Sequence, residues 1–186
     1  MEAPTGRHRR HDERLTHVSA LRTRRLRLVP ATVELLDAEL ERPGLLAPLL
    51  GVADVVEWPP AGSDYDRDAV ELFRSQLLAD PAAEGWNSYY VCWGDALVGN
   101  GGYFGPPTEG EAEIGYAVCL AWRARGIASE VVAALIERAS AFGLARLVAQ
   151  TLPDNAASIA VLMRNGFEEV ATSDGDQRRF VRSLAG

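Results

Sequence analysis

The chain has no lysine: all 19 basic side chains among its 186 residues are arginine. Beside so many alanines this reads as codon bias, and no function follows from it. No G-x-x-x-x-G-K-[ST] occurs, which disfavours a kinase-like phosphate site, and no G-x-G-x-x-G follows an early strand, which disfavours a dinucleotide enzyme. Histidine is confined to His8, His11 and His17. If that segment is disordered, the folded body has no imidazole to act as base or metal ligand. Cys92 and Cys119 lie in strand-like segments without metal-ligand spacing, so no metal is expected. The default is two reduced, packed thiols in a cytoplasmic protein. No apolar run approaches the ~20 residues needed to span a bilayer. No apolar stretch follows the N-terminal arginines as a secretory signal would require, so no membrane association is expected.

What is present suits one domain with a sizeable core, at 47% apolar and 24% charged residues. Residues 1–17 carry four arginines and the three histidines with no apolar period, which predicts a disordered basic tail before a single domain over 18–186. The scattered charges make a poor nucleic-acid arm. Beyond residue 27 there are 11 arginines against 23 acids, a net of −12. An acidic body suits a cationic partner better than nucleic acid; equally, its charge can simply keep it soluble.

Arg25–Pro30 alternates as a first strand. Thr32 opens a helix carrying Leu35, Leu36 and Leu40 and stopped by Pro43-Gly44. Residues 44–63 predict short helical turns and a loop, and Asp64–Asp80 a second helix. Ser88–Trp93 and Ala96–Gly102 flank Gly94-Asp95 as a hairpin, and Glu111–Val118 is a fourth strand. A long helix ends at Gly143, and Arg146–Leu152 alternates as a fifth strand. Asp154 or Asn155 caps a helix stopped by Asn165-Gly166. Val170–Thr172 and Arg179–Ser183 close the chain as strands across Asp174-Gly175. The order predicts a mixed α/β (α+β) layer: a largely antiparallel sheet of about six to seven strands, with helices covering it.

The centre of this organisation is Arg123-Ala124-Arg125-Gly126-Ile127-Ala128-Ser129. It joins the strand ending Tyr116-Ala117-Val118 to a helix whose apolar stripe is Val131, Val132, Leu135, Ile136, Ala139 and Phe142. Backbone N–H groups at a helix start lack intrahelical partners and carry the positive end of the dipole. With Arg123 and Arg125 they form a site for a phosphate or pyrophosphate. The alternative is an ordinary tight turn with solvated arginines.

Three segments together resemble the GNAT superfamily of acyl-CoA N-acyltransferases. Arg123-x-x-Gly126-x-Ala128 fits that family's pyrophosphate pattern for coenzyme A. Asn155-Ala156-Ala157-Ser158, followed by Gly166-Phe167, fits its second motif. Thr23-Arg24-Arg25-Leu26-Arg27-Leu28, with Glu113-Ile114-Gly115-Tyr116, is similar to the subgroup that acetylates ribosomal-protein N-termini. The likeness covers roughly residues 21–183. It implies acetyl-CoA as co-substrate, helices on both faces of the sheet, and fourth and fifth strands that splay apart. The backbone at Tyr116, Ala117 and Val118 would then pair with the pantetheine arm as a strand would. Asn155 would orient the arm, or simply cap its helix.

The resemblance puts Glu113 close to the thioester as a base acting through water, with Glu111 as a weaker substitute; a structural salt bridge is the alternative. Many relatives protonate the leaving thiolate from a tyrosine seven residues after the motif asparagine, a position held here by Leu162. Ser158 stands where the N-terminal-acetylating subgroup has serine and can donate to sulfur, although such a hydroxyl often bonds its own backbone. Tyr89, Tyr90, Trp86 and Trp58 are candidates for the acceptor pocket and equally for the core. An α-amine, with a reference pKa near ~7.7–8.0, needs less help than a lysine amine near ~10.4. The leading expectation is an N-acetyltransferase acting on a protein or peptide α-amine. A small-molecule amine acetyltransferase, acting on a polyamine or aminoglycoside, and a non-catalytic acyl-CoA-binding module are the alternatives; a homodimer is left open.

Overall fold

The protein, described as a computed structural model over residues 18–53, 55, 57–171 and 176–184, has eight strands and five helices among these residues. In chain order they are β1 (Leu21–Arg22), β2 (Leu26–Pro30), α1 (Val33–Glu41), α2 (Leu46–Leu50), α3 (Arg67–Ala79), β3 (Ser88–Trp93), β4 (Ala96–Tyr103), β5 (Glu111–Val118), α4 (Ile127–Ala141), β6 (Arg146–Thr151), α5 (Ala156–Arg164), β7 (Glu168–Val170) and β8 (Arg178–Ser183). The expected tail over 1–17 and the expected turn at Asp174-Gly175 lie outside the described residues.

Local chemistry sets most boundaries. Thr32 accepts a hydrogen bond from the Leu35 N–H at 3.2 Å, and Asp66 one from Ala69 at 3.0 Å, so α1 and α3 start where a short polar side chain satisfies a free donor. Gly166, at φ 74°, turns the chain out of α5 while the Phe167 N–H bonds back to Leu162. Two boundaries differ from expectation. The two-residue β1 is an added strand, folded back on β2 through Leu21↔Leu28. The last hairpin begins at Glu168 rather than Val170, because Glu168–Val170 finds partners along Arg179–Val181.

The sheet order is β1-β2-β3-β4-β5-β6-β8-β7. Every pairing is antiparallel except β5 with β6, which run parallel only from Glu111↔Arg146 to Glu113↔Val148. Beyond Glu113 the two strands part, as the resemblance implied. One face packs on α4 and α5 around Leu28, Tyr103, Ile114, Val132, Leu135 and Phe180. The other packs on α1, α2 and α3 around Leu36, Leu50, Phe73, Leu77 and Tyr90. Gly101 lets α4 come close to the sheet: a Cβ there would lie 2.6 Å from the Val131 side chain. The three fully buried residues Val132, Leu135 and Ala139 keep α4 seated, at roughly 2 kcal/mol for a buried leucine side chain.

Candidate active site

The site begins with an unpaired strand edge. The Cys119 N–H bonds to Val98 and the Phe104 N–H to Glu113, so residues 113, 115, 117 and 119 direct their backbone groups at β4. By the two-residue period, Tyr116 and Val118 direct theirs to the opposite edge, where β6 has departed. A groove of about 1000 Å³ opens there, bounded by β5, the turn before α4, the end of β6 and the start of α5. Its backbone edge can accept an extended, peptide-like arm.

At one end the groove meets the turn over 123–127. Gly126 takes φ 75° and caps α4 with no side-chain hydrogen bond. The N–H groups of residues 125–129 have no partner among the described residues. These donors sit at the positive end of a fifteen-residue helix and fit a pyrophosphate. Ile127, Ala128 and Ser129 all line the groove, the Ile127 side chain being buried in the core as well. The flanking arginines divide differently from the sequence expectation. The Arg123 guanidinium donates to Val118 O at 3.0 Å and Ala61 O at 2.7 Å, so it ties the 58–63 loop to the end of β5. Arg125 lies over the Trp122 ring and donates to Ala121 O. The guanidinium that reaches the turn is Arg25: Nη1 donates to Arg125 O at 3.0 Å, and Nη2 is 3.5 Å from where a Gly126 Cβ would stand. Glu130 holds it through Nε at 2.7 Å. Burial opposes ionisation of Glu130, but hydrogen bonds from Thr23 and Arg25 outweigh it and hold the carboxyl below its ordinary range. Arg25 was quoted in the sequence only as part of the opening strand; its role appears when β2 is laid against α4.

At the start of α5, Asn155 lines the groove and also caps the helix, accepting from the Ser158 N–H at 3.1 Å. Its binding and capping readings are both compatible with this geometry. The Ser158 hydroxyl meets the Tyr116 hydroxyl at 2.9 Å. Tyr116 therefore reaches across the parted strands and brings a phenol to the groove, while Leu162 is buried in the core. Burial pushes the phenol up to about 12, against a smaller opposing effect of Ser158, so it stays protonated and can donate.

At the far end, on the face away from α4, the groove is lined by Tyr65, Phe73, Ser88, Asn100, Phe104 and Glu113. Glu113 accepts from Gln150 at 3.1 Å and is otherwise open. Glu111 is taken by Arg146 and Arg179 and does not line the groove, so it is no substitute base. None of Tyr89, Tyr90, Trp86 or Trp58 lines it either. Tyr89 and Trp86 pack in the α4-side core, while Trp58 and Tyr90 donate to Glu39, each at 2.6 Å. Tyr65, which the helix pattern did not single out, donates to the same carboxylate at 3.0 Å. Burial pushes the Glu39 carboxyl up despite these three bonds. Among the described residues no cluster of three or more His, Cys, Asp or Glu is set to hold a metal ion. No helix among them is long and apolar enough to cross a membrane.

Residues 25–168 match the family model described as an acetyltransferase (GNAT) domain. The chain is 33% identical over 151 residues to YjdG of Bacillus subtilis (strain 168), described as an uncharacterized N-acetyltransferase, covering 79% of this chain and 88% of that protein. Among solved structures it resembles an acetyltransferase from Agrobacterium tumefaciens (TM-score 0.63, 24% identity, 89% of this chain and 94% of that one). It also resembles RimL, a ribosomal L7/L12 α-N-protein acetyltransferase in complex with coenzyme A (TM-score 0.63, 20% identity, 89% and 98%). A third likeness is to MccE, a microcin C7 self-immunity acetyltransferase in complex with acetyl-CoA and AMP (TM-score 0.59, 17% identity, 87% and 93%).

Proposed function

This chain belongs to the GNAT acetyltransferase family and is an N-acetyltransferase, and we propose that it moves the acetyl group of acetyl-CoA directly onto a protein or peptide α-amine. The observation that carries the reading is the continuous groove itself: an unpaired β5 edge running from an uncapped helix start to an open carboxylate. Acetyl-CoA supplies the activated acyl group. The N–H groups of Arg125, Gly126, Ile127, Ala128 and Ser129, with the Arg25 charge, hold its pyrophosphate. The backbone of Tyr116 and the Val118 N–H pair with the pantetheine arm, Val118 O being taken by Arg123, and Asn155 fixes the arm's far side.

Glu113, through a water, takes the proton that the amine sheds as the new C–N bond forms and the C–S bond breaks. Tyr116 and Ser158 donate to the sulfur as it leaves. The base is a carboxylate, better matched to an α-amine that is partly neutral near pH 8 than to a lysine amine. The reaction is assigned to the cytoplasm, in keeping with two buried, unpaired cysteines.

A small-molecule amine is the second reading, favoured by the acidic acceptor end, where Asp64 joins Glu113. Thiol release from acetyl-CoA against N-terminal peptides and small amines decides between them. Peptides should be turned over, blocked N-termini should not, and Glu113→Gln should lower kcat by about 100-fold or more with little change in KM for acetyl-CoA. Turnover of spermidine with none of any peptide would assign the small-molecule reading. Coenzyme A binding with no thiol release for any amine would leave a binding module.

A further inference from the structure

One side chain in the acceptor end has no structural occupation. Asn100, in the middle of β4, is 8% exposed and lines the groove. Its Oδ1 is buried without a partner, and its Nδ2 has none among the described residues. A buried amide carbonyl left unpaired is costly, and proteins pair nearly all of them. The surroundings explain how a ligand reaches it. Asn100 is registered against Tyr90 on β3 and Ala117 on β5, and Gly102 beside it against Ser88 and Gly115. The sheet floor is thus made of Ser88, Gly102, Gly115 and Ala117, all small, while the Tyr90 hydroxyl is spent on Glu39. Asn100 shares that face with Glu113, next to the strand whose free edge faces the proposed acetyl donor.

An amide group offers an acceptor and a donor side by side. A plain alkylamine or a polyamine offers only donors to such a group when charged. A peptide N-terminus offers both, an N–H and, three bonds from the nitrogen, a carbonyl oxygen. We infer that Asn100 orients the acceptor substrate: Oδ1 takes one N–H of the α-amine, and Nδ2 donates to the carbonyl oxygen of the same residue. The acceptor class is therefore an α-amine followed by a carbonyl. With one N–H of the neutral amine held by Oδ1 and the other facing Glu113, the nitrogen lone pair is left free for the thioester. The inference rests on the N-acetyltransferase reading and names the substrate class of that site; Asn100 touches the acceptor but moves no proton.

The test compares wild-type and Asn100→Ala enzyme on two acceptors, a short peptide amide with a free N-terminus and isopropylamine, which lacks the carbonyl. The two amines differ in their own pKa, but that difference cancels when the ratio of their kcat/KM values is compared between enzymes. Wild type should prefer the peptide, and Asn100→Ala should shrink that preference at least tenfold. Coenzyme A affinity by calorimetry and Tm should stay at wild-type values. A preference that Asn100→Ala leaves unchanged overturns the inference while the N-acetyltransferase reading stands. A wild type with no peptide preference overturns it too. Wild-type coenzyme A binding without thiol release for any amine defeats the underlying reading and the inference with it. If Asn100→Ala does not fold, Asn100→Ser is measured in its place, with the same ratio deciding.

Discussion

Two residues in one turn illustrate how backbone conformation and ligand space are separable. Ala124 sits at φ 61° and Gly126 at φ 75°, in a region that costs a residue with a Cβ about 1–2 kcal/mol. Gly126 has no Cβ, so it adopts this conformation freely and leaves its N–H open on the groove side. Ala124 is strained, and Ala124→Gly should raise Tm by a few degrees, net of the extra freedom of the unfolded chain. Gly126→Val should do the opposite: the strain lowers Tm, and the side chain fills space beside the Arg25 guanidinium. Coenzyme A affinity in calorimetry should fall at least tenfold. Unchanged affinity in Gly126→Val would remove the turn from the proposed pyrophosphate site.

The element that most depends on distant contacts is α1. Its apolar stripe, Leu35 and Leu36, was legible in the sequence, as were the Thr32 cap and the stop at Pro43. The carboxylate on its inner side, Glu39, was not. It gathers donors from Trp58, Tyr65 and Tyr90, between 19 and 51 residues away. Periodicity reports which face of an element is apolar, and it says nothing about which far segment supplies a partner. The same limit hid Arg25 beside α4, and it gave Tyr116 a backbone role without showing that its hydroxyl meets Ser158. What the sequence made plain were the features fixed by local chemistry and motif spacing: seven of the eight strands, the parted β5 and β6 implied by the resemblance, and the turn at Gly126.

Glu39 also makes a pH prediction. Its folded carboxyl is raised above the ordinary 4.5 by burial, so the folded chain keeps this proton to a higher pH than the unfolded chain does. The resulting stability is fully present below 4.5 and is lost as pH rises through the folded value. Glu39→Gln keeps one acceptor oxygen among the three donors and removes the titration. Urea unfolding at pH 4 and pH 7 should therefore show wild type losing stability relative to Glu39→Gln between the two. Glu39→Ala strands three buried donors and should cost about 3–5 kcal/mol at either pH. Parallel pH profiles for wild type and Glu39→Gln would mean that the carboxyl titrates alike in both states.

Across the whole molecule the charge is uneven. The chain as a whole carries −7, yet residues 28–186 carry 11 arginines against 23 acids. Arg25 therefore stands out against an acidic body at the proposed pyrophosphate turn, while Glu113 and Asp64 face the opposite end of the groove. Such a field draws a cationic acceptor toward the carboxylate end and leaves the anion to short-range contacts at the turn. The two kinds of attraction respond differently to salt. Charges separated by more than the Debye length, ~10 Å at 0.1 M salt and ~3 Å at 1 M, stop sensing one another, whereas contacts made on bound N–H groups persist. Two peptides that share their first three residues, one continuing with arginines and one with neutral residues, separate these effects. At low salt the basic peptide should show the lower KM by several-fold, and raising salt toward 1 M should bring the two together, with kcat unchanged for both. The shared residues keep the amine and its first carbonyl identical, so the convergence reports the field of the body and not the fit at Asn100 or Glu113. A basic-peptide advantage that survives 1 M salt would instead require direct contacts to the arginines, and equal KM values at low salt would show that the acidic surface has no part in choosing the acceptor.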